Sequence, residues 1–441
     1  MAGGKYVVQN KVRPGAYINF KSVPKPQMEL SDRGITAMPL ELNWGAEGEL
    51  IDVYSEDLRT GTAYQKTGLT VVMPEAKVLR GALSYCFLAR VFRLNKGGVK
   101  ATASLTGLTV TALHSGTLGN DIIIRITADG LLFDVETYVA GVQRDIQRVA
   151  ELSELEANHY VDFSGTGNIT ATAGLNLTGG TNGTVTEATA YEEFFKLLKT
   201  SRFQTIGVPT ASQIIKANTF GFVEDMRDNE GRYIQAVVNN YNPDYEGVIN
   251  FSGDGAIIDG EAFNGGDMAV VIAGITAGSE IYESNTGRVI LGGERVIGLK
   301  SNSEIVEALK NGEMVLSTQQ SGTVQIEQDI NSLHTFIPEK NYAFSKNRII
   351  RTIDGIGEAV NNAWDSNFKG KVNNNDDGRS LFADSVALLL TTMQNLGAIQ
   401  NFTPADVTVD RGDAIDAVVC TIAIQPVDSM EKLYMTVFLE T

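Results

Sequence analysis

Between about Gly97 and Thr184 the chain changes character: Thr, Gly, Ala and Val dominate, and apolar residues alternate in short runs at Leu108 to Ala112, Asp121 to Thr127 and Leu132 to Tyr138. A period of two over so few residues is the pattern of half-buried strands, and several such runs in sequence predict a small β-rich domain. Leu177-Thr178-Gly179-Gly180-Thr181-Asn182-Gly183 then places turn formers in a row and closes the unit. Whatever folds on either side must therefore accept an insertion at residues 97–184.

The flanks read differently. Before the insertion, residues 31–96 carry a strand pattern from Ile35 to Leu42, a helical stretch from Pro74 to Tyr85 and a strand from Phe87 to Leu94. After it, residues 185–332 alternate helix (Glu187 to Lys199), strand (Phe203 to Val208), helix (Ala211 to Arg227), strand (Tyr233 to Asn239) and helix (Glu261 to Ala277). That rhythm predicts an α/β core with a parallel sheet flanked by helices. A last α+β unit spans 333–441. Ile349, Ile353, Ile356, Val360 and Trp364 recur every three or four residues as one helix face, and Leu381, Ser385, Leu388, Thr392 and Leu396 outline a second. Strands are expected at Val407 to Asp410, Ala417 to Ile424 and Leu433 to Leu439. No repeat of 20 to 50 residues is visible, which speaks against a solenoid or propeller.

Both ends carry strands without an evident partner. Residues 1–30 hold Lys5, Lys11, Arg13, Lys21 and Lys25 with three prolines, so they form no long helix. Within them Ala16 to Lys21 alternates, with Ala16, Ile18 and Phe20 on one face. Leu433, Met435, Val437 and Leu439 share one face of the last strand, and Tyr434, Thr436 and Phe438 the other, which suits a strand covered on both sides.

Lys plus Arg number 36 and Asp plus Glu 53, a net charge of −17 that repels nucleic-acid backbones and anionic membranes. The most apolar window, Met268 to Ala277, falls well short of the ~20 residues of a spanning helix. A soluble chain without signal peptide or lipid anchor is expected, and the Asn-x-Ser/Thr triplets at Asn168, Asn176, Asn182 and Asn401 are then not glycosylated. Two cysteines, Cys86 and Cys420, are too few for a disulfide framework and suit a reducing cytoplasm, although one bridge stays open.

Catalytic constellations do not assemble. His114, His159 and His334 are the only histidines, and none is paired at zinc-site spacing. Gly293 to Lys300 approaches a phosphate-binding loop, but Leu299 intervenes before Lys300 and a hydroxyl arrives only at Ser301. Gly253-Asp254-Gly255 reads as a tight turn. No Gly-x-Ser-x-Gly elbow occurs. Asp376 and Asp377, in the run Asn373 to Arg379, lack the alternating ligands and closing Glu of a calcium loop and read as a solvated turn. The expectation is no catalytic residue, no metal and no cofactor.

Arg13-Pro14-Gly15-Ala16-Tyr17-Ile18, Gly116-Thr117-Leu118-Gly119-Asn120-Asp121-Ile122, Leu177 to Gly183, Glu327-Gln328-Asp329-Ile330-Asn331, Phe368-Lys369-Gly370-Lys371-Val372 and Pro426 to Tyr434 follow one another in an order that resembles contractile tail sheath proteins of phages, defective prophages and phage-tail-like bacteriocins. Ala16 and Leu118 depart from the family's Val and aromatic residue. The resemblance implies a core of subtilisin-like topology without a protease site, the inserted β domain, and extended terminal arms that join neighbouring subunits. It further implies hexameric rings stacked around a tail tube, contraction that drives the tube through a bacterial envelope, and association with baseplate and tail-terminator proteins. Assembly is then expected in the host cytoplasm, as part of a virion or released particle, with no nucleic acid bound and no membrane insertion. The subunit-contact residues expected from the arms are Tyr17, Ile18, Phe20, Leu433, Met435, Val437 and Leu439.

A helix starting near Ser345 carries Lys346, Arg348 and Arg351 early and Asp354, Glu358 and Asp365 late, against the helix macrodipole. With Lys369 and Lys371, that basic end is the candidate tube-facing surface; a solvated helix face is the competing reading. The insertion, entered and left through Gly-rich turns, is expected on the outside and replaceable. A divergent hydrolase and an exported β-rich binding protein stay open as other classes.

Overall fold

A computed structural model of the chain describes residues 3–4, 16–17, 28, 30 and 32–439. The first α/β part supplies β1 (Ile35–Leu40), β2 (Leu50–Tyr54), helix α1 (Lys77–Leu83) and β3 (Leu88–Arg93). The insertion follows as β4 (Lys100–Leu105), β5 (Leu108–Ser115), β6 (Ile122–Asp129), β7 (Leu132–Val139), β8 (Val142–Val149), β9 (Val161–Gly165) and β10 (Thr172–Asn176). The chain then returns with α2 (Glu187–Leu198), β11 (Thr205–Gly207), α3 (Gln213–Glu224), β12 (Gln235–Asn239), β13 (Val248–Phe251), α4 (Gly265–Gly278), α5 (Asn302–Lys310) and β14 (Glu313–Met314).

The two α/β parts build one sheet. Its order is β14-β13-β12-β11-β1-β3-β2, parallel throughout except for the antiparallel β2, so β11 from after the insertion docks beside β1 from before it. Both faces are covered, as a parallel sheet requires. On one side α2 and α3 bury Phe194, Leu198, Ile215 and Val223. On the other, α1 and α4 pack against the strands, and α4 is buried almost all round from Gly265 to Ala277.

Gly274 lets α4 approach α1: a Cβ there would lie 2.6 Å from the Ala82 carbonyl oxygen. Residues 261–264 are not the start of this helix, as the apolar pattern suggested, but a strand pairing with Gly255–Ile258. The helix begins after Asn264, whose side chain caps the Asp267 amide while Asp267 reaches back to the Asn264 amide.

The insertion folds as two sheets, β8-β7-β6-β10 and β9-β5-β4, with Val110, Ala112 and Val161 of one and Ile124, Ile126 and Val135 of the other in a shared core. Trp44 and Tyr64, which precede the insertion in sequence, belong to that same core. Lys96 and Thr184 bridge at its neck through two backbone hydrogen bonds of 3.0 Å. Gly183, at φ 74°, passes so close to the Lys96 carbonyl that a Cβ would sit 2.1 Å from it, which explains the glycine in the closing turn.

The C-terminal part contains α6 (Asn347–Ala363), a π-type turn at Trp364–Phe368, α7 (Asp376–Asn395) and the hairpin β15 (Val407–Arg411) and β16 (Val418–Ile422). The buried face of α7 is Phe382, Ser385, Val386, Leu389, Leu390 and Met393, about one residue round from the predicted stripe; Leu388 and Leu396 are exposed. Asp376 and Asp377 do not form a free turn but open this helix behind the Asn375 cap. Residues 427–439 form neither helix nor strand, so the strand expected at Leu433 to Leu439 is not formed within the chain. At the other end, Ala16–Tyr17 is not alone: it pairs in parallel with Gly3–Gly4.

Candidate functional site

The C-terminal segment breaks the rule that apolar runs are covered. Met430, Leu433, Tyr434, Met435, Val437, Phe438 and Leu439 are each at least 67% exposed. Scattered apolar residues on a surface are ordinary, but a contiguous run of this kind marks a contact surface. Nearby, the hairpin of β15 and β16 pairs only with itself among the described strands, leaving backbone N–H and C=O groups along its outer edges. Of the expected N-terminal contacts, Tyr17 lies in the short parallel pair, while Ile18 and Phe20 fall outside the described residues.

The root of the C-terminal segment is held by a polar network. Thr286 Oγ1 donates to Glu431 Oε1 at 2.7 Å and Gln328 Nε2 to Oε2 at 2.6 Å, and Lys346 Nζ pairs with the same oxygen. Burial pushes the Glu431 carboxyl up, but these three donors outweigh it and hold it below the ordinary carboxylate range. Burial depresses the Lys346 ammonium, and Glu431 more than compensates, so its pKa is raised. One layer below, Asp329 is closed off with Arg351, whose guanidinium donates to it at 2.8 Å, both side chains 1% exposed. Asn347 Nδ2 and the Asn285 amide also donate to Asp329 at 2.9 Å.

That geometry corrects the tube-facing assignment. Lys346 and Arg351 are buried and committed to Glu431 and Asp329, so they present no cation at the surface. The acids that answer them lie 85 and 22 residues away in sequence, and the basic first turns of α6 face inward partners. Arg348 is half-buried, with its guanidinium 3.3 Å from the Gly397 carbonyl oxygen. Lys369, paired with Asp365 at 3.1 Å, and Lys371, on the Ser366 carbonyl, are exposed beyond the far end of α6. The 17 residues of α6 span roughly 25 Å at the usual helical rise, so the five cations form no single patch. Sequence reading missed Glu431, Thr286 and Gln328; the one charged pair, Glu431-Lys432, just before the apolar alternation was the available signal.

Elsewhere, His114 packs edge-on against Trp44, ring centroids 5.1 Å apart, and burial pushes its imidazole down to about 4. His334 lies 3.1 Å from Asp244, and His159 is exposed rather than packed. Gly293–Ile297 is a strand. Cys86 and Cys420 are free, and burial raises the Cys86 thiol to about 12. Among the described residues no three His, Cys, Asp or Glu side chains cluster to hold a metal, and no helix is long and apolar enough to cross a membrane.

The likenesses to known proteins run over the whole chain. The family models for the phage tail sheath protein β-sandwich domain, central domain and C-terminal domain match residues 96–182, 183–332 and 339–440. Phage-like element PBSX protein XkdK of Bacillus subtilis is 32% identical, with 99% of each chain covered. The solved sheath tail protein of Desulfitobacterium hafniense is 36% identical with a TM-score of 0.83, over 96% of this chain and 99% of that one. The anti-feeding prophage helical sheath in its contracted state shares the fold at 10% identity, TM-score 0.59, over 98% of this chain and 100% of that one. The chain, with its mixed helix and sheet core, β-sandwich insertion and exposed C-terminal arm, belongs to the phage tail sheath proteins.

Proposed function

We propose that this chain is the structural subunit of a contractile sheath: it polymerises as stacked six-fold rings around a tail tube, through arms that pair with neighbouring subunits, and shortens to drive the tube through a bacterial envelope. The observation that carries the reading is the exposed run Leu433 to Leu439, which alternates like a strand and finds no strand partner among the described residues. An extended segment satisfies its backbone groups by joining another sheet, and the free edges of the β15–β16 hairpin offer one. Leu433, Met435, Val437 and Leu439 are the contacts proposed on that arm, with Tyr17, Ile18 and Phe20 on the other. A joint of this kind keeps its hydrogen bonds while its flanks rotate, so a lattice shortens without dissociating.

The tail tube, the baseplate and a tail terminator are the further partners of this reading, with Arg348, Lys369 and Lys371 the cations left to face the tube. The helix-covered parallel core supports the subtilisin-like topology, and the role proposed is structural rather than enzymatic. Assembly in the host cytoplasm goes with it. Removing residues 432–441, or 1–22, is expected to leave a folded monomer that forms no tubes by electron microscopy. Tubes of normal diameter from either truncation would refute arm exchange, and an unfolded product would mean that the segment completes its own domain.

A further inference from the structure

The last contacts between the body and the C-terminal arm converge on one side chain. Gln425–Pro426 pairs with Ile399–Gln400, and the Val427 amide donates to the Ala398 carbonyl at 2.9 Å. Met430 is then fully exposed, whereas the Glu431 side chain is only 10% exposed. From Lys432 to Leu439 every residue is exposed.

Three donors from the body reach Glu431 from separate places, Thr286 and Gln328 from loops of the α/β core and Lys346 from the residue that opens α6, and the segment's own Ser429 hydroxyl adds a longer contact at 3.5 Å. Thr286 is itself tied down, because its Oγ1 accepts from the Asp329 amide at 2.9 Å, and Asp329 is locked by Arg351 and Asn347. Asp428 adds a second, longer contact to Lys346 at 3.8 Å.

We propose that Glu431 is the clamp that fixes where, and in which direction, the C-terminal arm leaves the subunit. A carboxylate meeting three directed donors has one geometry, whereas an apolar root would slide. Fixing the root also removes part of the ordering cost that the arm meets when it joins a neighbour, and it keeps the free segment within reach of one target. Glu431 is thus a positioning residue; it rests on the reading of residues 432–439 as an inter-subunit arm, but its own signature is visible in the monomer.

Trypsin reports that signature. Cleavage after the exposed Lys432 needs the residues on both sides, Glu431 included, to straighten into the protease, so a clamped Glu431 slows release of the peptide 433–441. In the full-length chain Glu431→Gln is expected to release it about tenfold faster at a temperature well below its own melt, since local opening rather than global unfolding limits such cuts. The same variant is expected to form fewer tubes, or tubes of irregular diameter. Removing the carboxylate leaves Lys346 buried with the more distant Asp428 as its remaining carboxylate, so Lys346→Met/Glu431→Leu supplies a variant without the unpaired charge; it is expected to melt like the parent and still be cut fast.

Unchanged cleavage in both variants would overturn the clamp. Fast cleavage with tubes of parental rate and diameter would overturn its positioning role. Normal tubes from the chain lacking 432–441 would instead overturn the arm reading, whatever the cleavage rates show.

Discussion

Asp329 and Arg351 show what a buried charge contributes in this fold. Both side chains are closed to solvent, and the carboxylate accepts from Arg351, Asn347 and the Asn285 amide. Burial alone pushes the Asp329 carboxyl up; the Arg351 charge and the hydrogen bonds win and hold it below the ordinary carboxylate range. A carboxyl depressed by folding contributes stability that is complete above its unfolded pKa and is lost as pH falls through the folded one. Asp329→Asn strands the Arg351 cation, whose Nε and one terminal nitrogen already lack partners. The expected cost is about 3 kcal/mol near neutrality, the scale for breaking one side of a buried pair. Denaturant melts at pH 7 measure that difference, and the gap between parent and variant is expected to narrow only below about pH 4, as the parent's own carboxylate titrates. A constant gap down to pH 2 would mean that the network is held by packing instead. None of this was legible beforehand: Lys346 and Arg351 look like surface cations because a sequence shows the charge and not its partner.

At the scale of elements, the insertion is less detachable than its composition suggests. Its ends meet at the Lys96–Thr184 bridge, so a short linker can close the gap. Its core, however, covers Trp44 and Tyr64 from outside it, with Trp44 against His114 and Tyr160 at 5.1 and 6.2 Å between ring centroids. Deleting residues 97–184 uncovers both aromatic side chains, each a large apolar surface returned to water. The deletion alone is expected to give a poorly soluble product, and the same deletion with Trp44→Ser and Tyr64→Ser a soluble one, scored by soluble yield and a cooperative thermal melt. Equal solubility with and without the serines would show that the core of the insertion stops at its own boundary. Periodicity found α2 and α7 because each buries one face, though it misplaced the α7 stripe by a residue, since Leu388 and Phe382 differ in sequence by character too little to rank. It merged the strand Glu261–Asn264 with α4, because a helix buried all round has no polar face to mark its start; only the Asn264 and Asp267 capping pair marks it. It missed β2, a short edge strand whose partner β3 lies beyond the helices Ser55–Thr60 and Thr62–Thr67 and α1. The alternation of Leu433 to Leu439 was visible, but a strand needs an edge to join, and this segment joins none among the described residues.

If the chain contracts as proposed, the question for the whole molecule is where the work comes from. The chain carries a net charge of −17, so in the proposed stacked rings copies of it would repel one another, and the arms and ring contacts would have to offset that repulsion. A lattice assembled against such repulsion and held by persistent strand joints is a natural store of free energy, released by passing to a second packing rather than by fuel. The one stretch that approached a phosphate loop supports this view. Gly293–Ile297 is a strand, and at the start of α5 the Ser301 hydroxyl, which would have to meet a nucleotide, is bound instead to Glu304 at 2.7 Å. Glu304 also accepts from the Ser301 amide at 2.7 Å, so a carboxylate of the chain itself occupies the donors that a phosphate would use. Hydrogen bonds from Ser301 hold that carboxyl below its ordinary range. Assembled sheath is therefore expected to turn over no ATP above the rate of a mock preparation, and Lys300→Ala to assemble and contract as the parent does. Phosphate release by pure tubes, followed by a coupled colorimetric assay, decides it: hydrolysis that disappears with Lys300→Ala would place a nucleotide site where the fold has placed a capped helix.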